Sequence, residues 1–317
     1  MLNRRFLRVK ALQEIYAYHQ SNSSDIPQSE RHLLQGVDEL YKLFIYQVTF
    51  WTEVRQFAIR RIEENKQKHF PTEEDLNPNM KFVNNRILTA LEDNKHLELL
   101  RQQYKIDWTD SREDFIRNMF VKMIELPEYQ EYMSNGKDSF ADDKKFLVTV
   151  IENYMAEDGL LYDYYSDRDL SFNSDYQIAV YLLWKFINDL PSSFDAESLM
   201  PPVYHSEKED KVFVTQLFEK TILHADEYME LVKANISNWD YERLALMDII
   251  LIFMALTEFT QFHDIPVKVT INEYIEISKL YSTSESRRFV NGMLDRLSTV
   301  MKEEGKIVKT GLGLLDK

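Results

Sequence analysis

The chain has 317 residues, no cysteine and a formal charge of −15, with 38 Lys+Arg against 53 Asp+Glu. These totals exclude a disulfide framework, Cys-based metal centres and thiol catalysis. A pI near 5.0 excludes a surface that binds nucleic acid all over, so any such site must be a local patch. With 44% hydrophobic residues, 7 Gly and 8 Pro, the composition predicts an all-α protein with a real core. The N-terminus carries no apolar signal segment. The longest apolar run, Ile249 to Leu256, is far short of the ~20 residues that span a bilayer. The expectation is a soluble, cytoplasmic protein without membrane contact.

In chain order, the first predicted helix covers Asn3 to His19, with Val9, Leu12, Ile15 and Tyr16 on one side. Arg4, Arg5 and Arg8 continue that line one or two turns earlier, and no acid precedes Glu14. Ser21 to Ser29 reads as a loop. Helical stretches then alternate with short polar breaks at Phe70–Asn79 and Ser134–Ser139, and Leu190–Pro202 reads as a linker. Further helices are expected near Asp210–Lys233, Tyr241–Phe262, Ile271–Tyr281 and Glu285–Glu304, followed by a loose tail over 307–317. The Tyr241–Phe262 helix is apolar nearly all round, which places it in the middle of a bundle.

A weak echo links DKKFLVTVIENYM from Asp143 with DKVFVTQLFEKTI from Asp210, and SDYQIAVYLLWKF from Ser174 with WDYERLALMDIIL from Trp239. It reads as a degenerate duplicated unit or as two similar amphipathic stripes, and both readings stand.

The most informative stretch runs from His263 to Leu297. Thr270 and Glu273 have the spacing of a capping box, and Ser282 to Glu285 can cap the next helix in the same way. Gly292 lies inside that helix, which predicts close approach by a neighbouring helix. Arg287 and Arg288 stand in its first turn, as Arg4, Arg5 and Arg8 do in theirs. Cations there oppose the helix dipole, whereas a helix start with arginines suits a phosphate. Tyr16, Tyr18 and Phe289 lie close enough in sequence to stack bases. These arginines are therefore expected to converge on one anionic strand, or else to be an exposed arm and an ordinary charged turn.

RRFLRVKALQEIYAY, DIPVKVTINEYIEISKLYS and SESRRFVNGMLDRL together resemble the NusB family of bacterial transcription antitermination factors. The resemblance covers about Asn3–Gln20 and Asp210–Lys302. It implies a NusB-like all-α domain of two small antiparallel bundles, made from 1–20 and 209–306, with 21–208 as a helical insertion. It also implies binding of boxA-like single-stranded RNA and of NusE, a small-subunit ribosomal protein, within the RNA polymerase antitermination complex. The RNA positions it implies are Arg4, Arg5, Arg8, Glu285, Arg288 and Phe289, with Arg287 beside them. Tyr16 and Asp248 are the implied partner contacts. Two residues depart from the family pattern L-R-x-A-x-Y-E, with Phe253 in place of a basic residue and Thr257 in place of tyrosine, which puts that part of an RNA surface in question.

The acidic, aromatic segment Leu160–Tyr176 reads either as a contact for a basic protein or as a solubilising extension. No Gly-rich phosphate loop, H-E-x-x-H or G-x-S-x-G occurs, so no enzyme, cofactor, metal or catalytic residue is expected. His263-Asp264 needs no more than a turn to explain it, and Asp163, Asp167 and Asp169 lack the glycine and terminal glutamate of a calcium loop. A NusB-like domain of an RNA methyltransferase would need a downstream SAM-binding domain and a catalytic cysteine. The remaining alternative is a helical protein-binding adaptor that keeps the fold without RNA.

Overall fold

The computed structural model describes residues 3–236 and 244–315, the side chains of residues 112 and 113 excepted. Among the described residues there is no strand. Two compact units emerge, one from 38–202 and the other from 2–37 with 203–317.

The second unit begins with α1 (Arg4–Gln20), which Asn3 caps by accepting the N–H groups of Arg5 and Phe6 at 3.0 and 3.3 Å. The loop after it is shorter than its polar composition suggests. Asp25 accepts the Gln28 N–H at 2.9 Å, and Pro27 fits a first turn, so α2 (Ile26–Lys66) starts inside the expected loop. Residues 26–37 of α2 belong to this unit and the rest to the other.

The unit 38–202 continues through α3 (Glu73–Leu76), α4 (Arg86–Glu92), α5 (Lys95–Gln103), α6 (Arg117–Glu125) and α7 (Pro127–Ser134). It ends with α8 (Phe140–Val150), α9 (Gly159–Ser166) and α10 (Leu170–Asp189). Its core is aromatic: Trp51, Trp108, Phe82 and Phe172 are fully buried. The segment Leu160–Tyr176 supplies part of that core rather than displaying its rings. Leu161, Tyr165, Phe172 and Tyr176 are buried, as is Asp175.

The other unit resumes with α11 (Glu207–Leu223) and α12 (Ala225–Asn235), two helices where one was expected. Next come α13 (Leu246–Gln261), α14 (Val267–Tyr281) and α15 (Ser284–Glu303). The expected α13 start at Tyr241, and much of the Trp239 half of the echo, lie outside the described residues. Within α13, Ile250 to Phe259 are buried without a break, and α1, α11, α12, α14 and α15 all pack on it. In the other half of the echo, Asp143 and Asp210 both lie buried in the first turns of α8 and α11.

Three local expectations fail. Helix α14 starts at Val267 after Pro266, so Thr270 is no cap and donates its hydroxyl to Glu258 at 3.2 Å. An ideal Cβ on Gly292 would meet nothing within 4 Å, so no neighbouring helix approaches there. The tail is docked rather than loose over its described part. Gly305, at φ +70°, ends α15 with Lys306 N–H on Met301 O and Gly305 N–H on Lys302 O, which turns the chain back. Lys309 Nζ then bridges the carbonyls of Glu258 and Phe262 at 2.9 and 2.8 Å, a cation at the C-terminal end of α13. Thr310 N–H donates to His263 O at 2.9 Å. Any Cβ at Gly313 would overlap that carbonyl.

Candidate nucleic-acid interface

The three arginines of α1 meet three different fates. Arg8 is 4% exposed at its side chain. It donates from Nε and Nη2 to both oxygens of Glu258, at 2.5 and 2.8 Å. Glu258 is fully buried and also accepts from Tyr274 OH at 2.7 Å. Burial works against the Arg8 charge, but Glu258, then Tyr274 and Glu273, outweigh it and the pKa is raised. Arg8 therefore holds α1 against α13 and α14 and does not face solvent, which removes it from direct RNA contact.

Arg5 is part-buried and bidentate to Glu273, Nε and Nη2 reaching the two oxygens at 2.9 and 2.8 Å. Burial pushes the Glu273 carboxyl up, but the Arg5 hydrogen bonds and the charge of Arg8 outweigh that and hold it below its usual value. Arg4 is different. Its side chain is 39% exposed, and its acidic neighbours Asp210 and Asp264 stand 4.0 and 3.9 Å away, beyond hydrogen-bond range. Its guanidinium also lies 5.0 Å from the Phe213 ring centre. A cleft of about 440 Å³ opens here, whose lining includes Arg4, Arg5, Glu273, Pro266, Val269 and Leu312.

At the start of α15, Thr283 caps the helix by accepting the Ser286 N–H at 3.2 Å. Both arginine-bearing helix starts thus use a residue of their own on backbone donors that a phosphate would otherwise take. Glu285 and Arg288 are exposed, and Arg287 and Phe289 are half-buried. Among the described residues no ion pair involves Arg287 or Arg288.

The two basic groups do not converge. Arg5 faces Glu273, and Gln13 donates to Tyr281 OH at 3.1 Å, so α1 and α14 run parallel in one register. Those two contacts are eight residues apart on each helix, about 12 Å. Since α15 follows Tyr281, Arg287 and Arg288 lie at the opposite end of α14 from Arg4 and Arg5. The groups stand at different ends of α14 instead of meeting at a point.

The remaining sites fall as follows. Asp248 is buried and accepts the Ser282 hydroxyl at 2.6 Å, so it pins the α14–α15 turn and offers no surface to a partner. Tyr16 is exposed, while Tyr18 stands edge-on to Phe218. Phe253 is buried with its ring near Tyr228, and Thr257 is buried against Thr221. Both departures from the family pattern therefore lie in the core of this domain. Sequence reasoning missed Glu258 and Glu273 as arginine partners. Glu258, a lone acid closing an apolar helix, was the signal available.

The family model described as the NusB family matches residues 184–299. Three curated proteins, each named transcription antitermination protein NusB, match as well. That of Salinibacter ruber is 39% identical over 103 residues, covering 32% of this chain and 64% of the relative. The Chloroherpeton thalassium protein is 34% identical over 121 residues, covering 38% and 57%. The Thermodesulfovibrio yellowstonii protein is 40% identical over 102 residues, covering 32% and 66%. Residues 184–299 are a NusB-family domain. The chain spans somewhat under two thirds of the length of these curated relatives. No solved structure matches it. The NusB-family match begins at 184, inside the stretch expected as an insertion, and ends before the docked tail. Among the described residues no His, Asp or Glu cluster is arranged to hold a metal, and no helix is long and apolar enough to cross a membrane.

Proposed function

We propose that this protein is a cytoplasmic transcription antitermination factor, a binding protein and not an enzyme. Its NusB-family domain takes boxA-like single-stranded RNA together with NusE in the RNA polymerase antitermination complex. The NusB-named relatives support the antitermination role. The observation that carries RNA binding is the start of α15, where exposed Arg288 and half-buried Arg287 have no ion-pair partner among the described residues. In a chain with this acidic excess, cations left without carboxylates suit an external polyanion. Glu285 beside them can accept from base amino groups, and Phe289 offers a ring edge or face to a base. Arg4 supplies a further phosphate contact and Arg5 a conditional one, since it must first leave Glu273. Tyr16 is the exposed candidate for the NusE side. The domain is assembled from both ends of the chain, with 38–202 as the inserted unit.

A second reading, a protein-binding adaptor that keeps the fold without RNA, draws on the acids around Arg5 and Arg8. A pull-down with NusE, with and without boxA RNA, separates the two. The RNA reading expects retention of NusE to rise with RNA and to fall back in Arg287→Ala/Arg288→Ala. Retention indifferent to RNA and to these arginines supports the adaptor instead.

A further inference from the structure

Resting on the RNA reading above, we infer that the C-terminal segment builds one wall of a nucleotide-sized cleft beside Arg4, with Leu312 as the residue that meets the base. The cleft of about 440 Å³ lies within the size range of small-ligand sites. Its lining combines two chemistries. One part is Arg4, whose guanidinium makes no hydrogen bond among the described residues and stands 3.9 to 4.0 Å from its acids. The other part is apolar, made by Pro266, Val269 and Leu312, of which Val269 and Leu312 keep 45% and 69% of their surface exposed. Asp264, on the rim, is 65% exposed at its side chain and can accept from an exocyclic amino group. A cation, apolar side chains and a carboxylate acceptor together match one nucleotide: phosphate, ring face and amino edge.

The wall is held in place rather than merely adjacent. Leu312 sits between Thr310, whose N–H donates to His263 O, and Gly313, whose lack of a Cβ lets the chain press on that same carbonyl. Lys309 fastens the segment to the end of α13. Pro266 and Val269 lie within the 184–299 match and Leu312 outside it, so it is the Leu312 part of the wall that the matched region does not supply.

The test is binding of fluorescent single-stranded RNA, across a salt series, to the full chain and to Leu312→Ser and Leu312→Tyr. Leu312 is a surface residue, so both variants should keep the wild-type circular dichroism and melting temperature. Leu312→Ser is expected to bind roughly five- to tenfold more weakly at every salt concentration, with the log–log salt slope unchanged, because an apolar contact and no charge is lost. Leu312→Tyr is expected to bind at least as tightly as wild type through stacking. Wild-type affinity in Leu312→Ser, or a changed slope, overturns the inference while leaving the RNA reading in place. Failure of the unaltered chain to bind RNA at any salt overturns the RNA reading and the inference with it, and that arm is read separately.

Discussion

Arg8 and Glu258, 250 residues apart in sequence, form a buried two-point ion pair at 2.5 and 2.8 Å. Glu258 is completed by Tyr274 OH and Thr270 Oγ1, so one carboxylate ties α1, α13 and α14 together. A buried pair of this kind is not strong evidence of net stabilisation, but removing one member strands the other charge. Arg8→Ala is expected to destabilise the domain by about 3–5 kcal/mol in urea unfolding. Arg8→Met combined with Glu258→Gln should recover most of that loss, because no charge is left stranded. A loss under about 1 kcal/mol in the single variant would show that water reaches the site.

Gly292 sits on the exposed side of α15 with open space where a Cβ would go. Gly292→Ala is therefore expected to stabilise by about 0.5–1 kcal/mol, read as a higher urea midpoint. Destabilisation would mean that something covers that face in solution.

The Arg5–Glu273 pair gives a pH dependence of known sign. The folded value of Glu273 is lowered from an unfolded value near 4.3, so the contribution is fully present above that unfolded value. It is lost as pH falls through the folded one. Urea midpoints measured from pH 7 down to pH 3 should fall more in wild type below about pH 4.3 than in Glu273→Gln. Equal slopes in the two proteins would remove the pair as a contributor.

The helical class, the apolar α13 and the helices around the family motifs were legible because each rests on local periodicity. Residues 250–259 of α13 are buried without a break, and no polar face had suggested otherwise. The arginine site was legible only as residue types. The line of Val9, Leu12 and Ile15 puts Arg8 on the buried side of α1, but nothing local shows what receives its charge, because its partner Glu258 is supplied from far along the chain. The apparent capping box at Thr270 misled for the same reason: Thr270 and Glu273 have the right spacing, yet both are engaged by tertiary partners, Glu258 and Arg5. The terminal position of the tail predicts looseness. Its docking depends on Lys309 finding the carbonyl end of α13, a tertiary match invisible in the local sequence.

The central claim, that Arg287 and Arg288 hold RNA together with the loosely paired Arg4, is tested most directly by the salt dependence of binding to a boxA-like single strand. With Arg4, Arg287 and Arg288 each neutralising one phosphate, the log–log slope should be about −2. It should become shallower by about 1.4 in Arg287→Ala/Arg288→Ala and stay unchanged in Arg8→Met/Glu258→Gln, which leaves no buried charge stranded. A slope near zero, or one that responds to Arg8 and not to the α15 arginines, would contradict the account.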